Sequence, residues 1–130
     1  MTRKSITPSP LRAYYEEWHF SPAMESNGLA FLSGFTGVAP DGALSTDPEA
    51  QIVQAFETVG LVLAEAGLDF RHIVDMTSYH VGLRNHLELF RRVKDRYVVP
   101  PYPAWTAVGV AELAVEGAIV EIKVTASAIA

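Results

Sequence analysis

The chain contains no cysteine, which removes disulfides, thiolate metal ligands and thiol nucleophiles and gives no sign of an oxidising compartment. Charge is also scarce: 19% of residues are Asp, Glu, Lys or Arg, and the acidic ones outnumber the basic ones 15 to 10. The resulting net charge of −5 opposes the counterion release by which Lys and Arg bind phosphate backbones, so nucleic acid is not expected as a partner. No apolar run reaches bilayer-spanning length, and Met1 to Thr7 lacks the apolar centre of a secretory signal. No membrane is expected, and the cytoplasm is the default location. The histidines, His72 and His86 among them, show no metal-ligand spacing with carboxylates, and neither a metal nor any other cofactor is expected. Internal repeats and low-complexity tracts are missing too.

What the chain has in quantity is apolar side chain, 49% of 130 residues. That suffices for one packed core and argues against disorder, while the length leaves no room for a second core. Residues 1–130 are therefore expected to form a single domain. A domain this small buries a low fraction of its surface, and association with copies of itself is the simplest way to hide the rest.

Pro8 and Pro10 interrupt the first dozen residues, so 1–12 reads as an irregular lead, poorly ordered or draped on a neighbour. Tyr14 to Met24 is rich in aromatics, Ser26-Asn27-Gly28 offers a turn, and Leu29 to Ser33 is apolar, which together read as a hairpin. Gly34, Gly37 and Asp41-Gly42 punctuate a loop. Asp47-Pro48-Glu49 supplies an N-cap, a proline in the first turn and a carboxylate at the positive end of the helix dipole. Ile52, Phe56, Val59 and Leu63 follow at helical spacing, and Gly67 lies just past the end. His72 to Val81 is a strand, with Ile73, Thr77, Tyr79 and Val81 on one parity and His72, Val74, Ser78 and His80 on the other. Asn85 and Glu88 have capping-box spacing, and Leu87, Phe90, Val93 and Tyr97 trace the stripe of a second helix. Pro100, Pro101 and Pro103 stop it; Ala104 to Ala111 and Ala118 to Ala128 are β-rich runs separated by Glu116-Gly117. The predicted order is ββαβαββ, an α+β domain whose mixed sheet carries both helices on one face. The uncovered face calls for a partner.

The most specific stretch is Pro103-Ala104-Trp105-Thr106-Ala107-Val108-Gly109-Val110, then Glu112-Leu113, then Val120-Glu121-Ile122. It resembles the signature of the Rid (YjgF-like) family, in which Pro-Ala-Arg-Ser/Thr is followed at similar distance by Val-Glu-Ile. The resemblance extends to Ser33-Gly34, the helix carrying Gln51, Ala66-Gly67 and the strand after it, from about Phe20 onward. It implies a chorismate-mutase-like fold, a homotrimer whose sheets face an inner barrel-like core, and three small-molecule clefts shared by adjacent subunits. Active members hydrolyse reactive enamine or imine acids to 2-oxo acids and ammonia, with an arginine holding the substrate carboxylate. At the matching position this chain has Trp105, which offers one indole donor, no charge and no fork. Truncating a buried charged hydrogen-bonded pair costs about 2–5 kcal/mol, so the standard 2-imino-acid deaminase reaction is not expected even though the scaffold is.

Each candidate residue has two readings. Trp105 either stacks on an aromatic or unsaturated ligand or packs in the core or an interface, with Ala107, Gly109 and Ala111 on its parity making room for the ring. Glu121 matches the family glutamate that positions or activates water; a carboxylate inside a hydrophobic strand is otherwise held by an arginine in an ion pair. Ser33 matches a serine at the cleft, where its hydroxyl either donates to a substrate oxygen or ties a turn. Phe20 stands where many relatives have tyrosine, which leaves a ring without a phenol, and Tyr15 or His19 is positioned to compensate. Thr106 brings the next hydroxyl to the pocket wall or simply fills a strand. His80 near a strand end is able to exchange protons near neutral pH, and Arg84, four residues on, is a source of the charge Trp105 lacks; both have ordinary structural or solvated readings as well. The Arg91-Arg92-Lys94-Arg96 cluster reads as a solvated helix face.

Three functions compete. The first is a Rid-like hydrolase or deaminase acting on a small imine- or enamine-type metabolite, with Glu121 organising proton transfer and hydroxyls holding developing charge. The second is a ligand-binding or scaffolding trimer without turnover. The third, an endoribonuclease, is opposed by the acidic balance.

Overall fold

The structure, a computed structural model, describes residues 2–128. Asn27 and Gly28 take left-handed backbone angles, φ 54° and 76°, the pair that a two-residue hairpin turn needs to match strand twist. They join β2 (Ala23–Ser26) to β3 (Leu29–Leu32). The expected hairpin is thus present with a shorter first arm. Tyr14 and Tyr15 belong to a one-turn helix, α1 (Arg12–Glu16), and Pro22, which has no N–H to give a ladder, stands just before the strand. The N-terminal lead is also less irregular than expected: Lys4–Ile6 forms β1, antiparallel to β2. It precedes both prolines and lies at the sheet edge, where a strand bonds on one side only.

After β3 the chain forms a two-residue strand, β4 (Phe35–Thr36), then the long helix α2 (Pro48–Glu65). The Asp47 carboxylate accepts from the Ala50 amide at 3.0 Å, as an N-cap does. Ile52, Phe56, Val59 and Leu63 are all essentially inaccessible, each worth about 1.5–3 kcal/mol relative to exposure. Next comes β5 (Ile73–His80), where strict alternation fails: the register shifts between Ile73 and Asp75. This bulge turns Ile73 inward alongside Met76, Ser78 and His80 and leaves Val74 outside, 48% exposed.

The second long helix, α3 (Leu83–Lys94), begins earlier than the Asn85–Glu88 pattern predicted. Gly82 (φ 72°) is the capping residue, and the Asn85 amide bonds the Gly82 carbonyl. The chain must reverse directly after β5 to lie back on the sheet, and a left-handed glycine makes that turn in one residue. Phe90 and Val93 of the predicted stripe are fully buried, and Tyr97, beyond the helix, stacks on Phe56 at 5.0 Å. β6 (Ala104–Gly109) and β7 (Val120–Ser127) complete the chain.

The sheet runs β1-β2-β3-β7-β5-β6, with β4 also on β7; only β5 and β6 are parallel. It is a mixed sheet in an α+β single domain, with α2 and α3 packed against β7, β5 and β6. β7 is central, and its inward residues Val120, Ile122, Val124 and Ala126 are at most 1% exposed. The opposite face carries Phe31, 43% exposed, across from Thr125, with Lys123 across from Thr77. No element among the described residues covers it.

Candidate functional site

Register decides which candidates meet. β4 lies antiparallel to β7 with Phe35 opposite Ile122 and Thr36 opposite Glu121, so a hydroxyl and a carboxylate become cross-strand neighbours. One residue earlier is Gly34, and a Cβ placed there would overlap the Glu121 carboxylate. The missing side chain is what admits the carboxyl group. Burial pushes Glu121 up from the ordinary carboxylate range, and Lys123, two residues along the same strand, offsets this only in part. No ion pair involves Glu121 among the described residues. The alternative of a glutamate neutralised by an arginine is therefore not what the structure shows.

Glu121 borders a cavity of about 400 Å³. Tyr14, Ser33, Thr36 and Thr58 bring hydroxyls to its wall, and Phe20, Phe35, Val38 and Val115 bring apolar surface. Glu121 is the one charged group on the wall. Three of the hydroxyls have local partners: Ser33 Oγ donates to the Ser21 carbonyl at 2.7 Å, Thr58 Oγ accepts from the Gln54 side chain at 3.1 Å, and Thr36 Oγ accepts from the Val38 amide at 3.4 Å. Ser33 thus ties a turn and still faces the cavity, where its lone pairs are free to accept. Gln51 ties the segment before α2 to the segment entering β7. Its Nε2 donates to the carbonyls of Ser45 and Gly117, and its Oε1 accepts from the Ile119 amide at 2.9 Å.

Of the residues singled out in the sequence, Glu121, Ser33 and Phe20 meet here. Trp105, Thr106, His80 and Arg84 do not. Trp105 pairs with Met76 and so points to the helix side of the sheet, whereas Glu121, opposite Tyr79, points to the other. Its ring stacks on Phe90 at 5.7 Å, its indole N–H donates to Ser78 Oγ at 2.9 Å, and the Lys94 ammonium lies 5.1 Å from the ring centroid. Within one chain Trp105 is packing. Thr106, one residue on, is exposed on the uncovered face. His80 is fully buried, edge-on to Phe90 at 4.8 Å and 2.7 Å from Ser78 Oγ through Nε2; burial pushes it down to about 4, with His86 contributing. It cannot reach a ligand. Arg84 is exposed on the first turn of α3.

Neither Tyr15 nor His19 lines the cavity. Tyr15 is half exposed and His19 is exposed, with a left-handed φ of 60°. Tyr14 is the residue on the cavity wall, its ring stacked on Phe20 at 5.0 Å. Thr36, Thr58 and Lys123 were also missed. Only Lys123 left a signal, its shared parity with Glu121.

A family model described as Endoribonuclease L-PSP matches residues 11–128. RutC family protein YjgH of Escherichia coli (strain K12) is 40% identical over 125 residues, covering 95% of this chain and 94% of that protein. A solved structure titled Structural Genomics, Protein YJGH superposes with a TM-score of 0.88 at 39% identity, covering 98% and 97% of the two chains. Reactive Intermediate Deaminase A, chloroplastic, of Arabidopsis thaliana is 29% identical over 96 residues, 72% of this chain and 51% of that protein. With the Pro-Ala-x-Thr and Val-Glu-Ile segments entering β6 and β7, the two strands that flank β5, and the match running from Leu11 to Ala128, this chain belongs to the Rid (YjgF-like) family.

Proposed function

We propose that the protein hydrolyses the C=N bond of a small, weakly anionic or uncharged imine, or of the imine tautomer of an enamine. The observation that carries this is Glu121: a half-buried carboxyl group without an ion-pair partner, raised by burial, at the wall of a hydroxyl-lined cavity. A general base works best when its pKa approaches the working pH, and desolvation moves a carboxylate that way. Glu121 takes a proton from water as the water oxygen bonds the C=N carbon, and passes that proton to the nitrogen to give a carbinolamine. Glu121 then takes the carbinolamine hydroxyl proton and delivers it to the amine as the C–N bond breaks, so that ammonia leaves, the carbonyl forms and the carboxylate is restored. Tyr14 and Thr36 are placed to hydrogen-bond the developing charge.

A cavity wall with no cation gives a substrate carboxylate nothing to pair with inside the chain. This supports a substrate other than the usual 2-imino acids. We take the working unit to be a homotrimer in which the uncovered sheet face, with Phe31 and Thr106 outward, turns toward neighbouring copies and the cleft lies between subunits; this would seal apolar surface now in water.

Ammonia release from imines generated in situ tests the reading. Glu121→Gln is expected to lower the rate about 100-fold or more without lowering the melting temperature, because an uncharged amide suits a desolvated position. The wild-type rate should fall as acid protonates Glu121, with a midpoint above the ordinary carboxylate range. Equal rates for the two proteins would overturn the proposal. The same lack of a cation favours a second reading, a binding protein without turnover, which predicts saturable ligand binding and no ammonia.

A further inference from the structure

Beside the Glu121 cavity runs a second depression, of about 360 Å³, walled by the segment leading into α1 on one side and by Val38 to Gly42 on the other. The two share Tyr14, Trp18, Val38 and Val115. These shared wall residues set the two depressions side by side, as an inner and an outer part of one trough. The walls of the outer part carry no charged group, and Leu11, Pro10, Ala13, Ala39 and Pro40 make them apolar. Trp18 stands over the junction with 74% of its surface exposed. Such an indole covers little of its own core, and large exposed aromatic surface beside a cleft marks contact with something outside the chain.

We infer that this outer trough is a specificity subsite for an aryl or long alkyl substituent carried by the same molecule whose C=N group sits at Glu121, with Trp18 stacking over the substituent. The inference rests on the hydrolase reading for the position of the reactive end, and it adds the class of the tail. Volume supports it, since an enclosed cavity of about 150 Å³ already holds benzene and the trough offers more than twice that. Its chemistry also selects: a charged or strongly polar tail would lose its hydration there and find no ionic partner.

Uncharged amides are suitable probes because their carbonyl mimics the polar end and they do not react. In the background Trp105→Phe, Trp18 is the remaining tryptophan, and its fluorescence reports binding at the trough directly. Butyramide and 4-phenylbutyramide are titrated into this protein and into versions also carrying Ala13→Phe or Ala39→Leu, which fill the trough from opposite walls. The phenyl compound is expected to bind at least 10-fold more tightly than butyramide and to shift Trp18 emission to the blue. Each filling substitution should cut that advantage to below 3-fold while leaving butyramide affinity unchanged. Equal affinity for the two amides, or an advantage that survives both substitutions, would overturn the subsite. The outcome separates from that of the hydrolase reading: graded binding without ammonia release from any imine sinks the hydrolase and keeps the trough. Turnover of small imines with no dependence on tail length does the reverse.

Discussion

Acidification should destabilise this protein through His80. The ring is fully buried, its Nε2 meets Ser78 Oγ at 2.7 Å, and its Nδ1 has no hydrogen-bond partner. Ser78 Oγ already accepts from Trp105 at 2.9 Å, so the three side chains form a small polar knot inside the core, edge-on to Phe90. A second proton on the ring would place an unpaired N–H and a charge there. Burial accordingly holds His80 at about 4, against 6.5 in the unfolded chain. Because the folded value is the lower, the unfolded state binds the extra proton first. Stability is complete above pH 6.5 and is lost as pH falls toward 4. At 1.36 kcal/mol per unit of difference the total is about 3 kcal/mol, of which about 2 kcal/mol is gone by pH 5. Glu121 acts in the opposite sense. Its raised value means the folded state holds its proton longer, so it weakens the fold as pH rises past the ordinary carboxylate range. Urea unfolding at fixed protein concentration from pH 7.5 to 4.5, in wild type, His80→Gln and Glu121→Gln, isolates the two slopes. His80→Gln keeps a hydrogen-bonding group toward Ser78 and removes the titration; its stability at pH 7 is expected to be lower than wild type, with about 2 kcal/mol less decline on going to pH 5. His80→Leu serves as a second non-titrating variant. An unchanged decline in both His80 variants would refute the reasoning, as would a His80 titration observed by NMR near 6.5 in the folded protein.

Gly34→Ala should force the Glu121 carboxyl group from its place, since the added methyl would overlap it; we expect a cost of about 1–3 kcal/mol by urea denaturation together with a loss of ammonia release at least as large as that expected for a modest misplacement, about 10-fold, and unchanged turnover would contradict the placement of Glu121. Trp105→Ala should lower stability by about 3 kcal/mol, the order seen for core aromatics, through loss of the Phe90 stack and the Ser78 hydrogen bond. Trp105→Phe, which keeps a stacked ring, should recover most of that; a neutral Trp105→Ala variant by calorimetry would show that the ring does not carry packing.

Local chemistry was legible wherever a residue type and a spacing act alone. Asp47-Pro48 began a helix and Asn27-Gly28 made a hairpin turn because capping and left-handed conformations are properties of a few consecutive residues. Illegible features depended on partners far along the chain. Asn85-Glu88 looked like a cap, yet α3 starts at Leu83 because Gly82 must reverse the chain onto the sheet. Strict alternation in β5 was broken by a bulge set by its pairing with β7.

The amino-acid sequence by itself determined the α+β class, the two long helices, the apolar content that needs covering, and the Pro-Ala-x-Thr and Val-Glu-Ile segments of the family, with Trp105 at the variable position. Only the tertiary structure decided what those residues face. Pairing of β4 with β7 set Thr36 and Gly34 against Glu121, and α1 brought Tyr14 to the cavity in place of Tyr15 or His19. Trp105 and Glu121 ended on opposite sides of one sheet because strand register, fixed by hydrogen bonds between segments distant in the chain, assigns every side chain to a face.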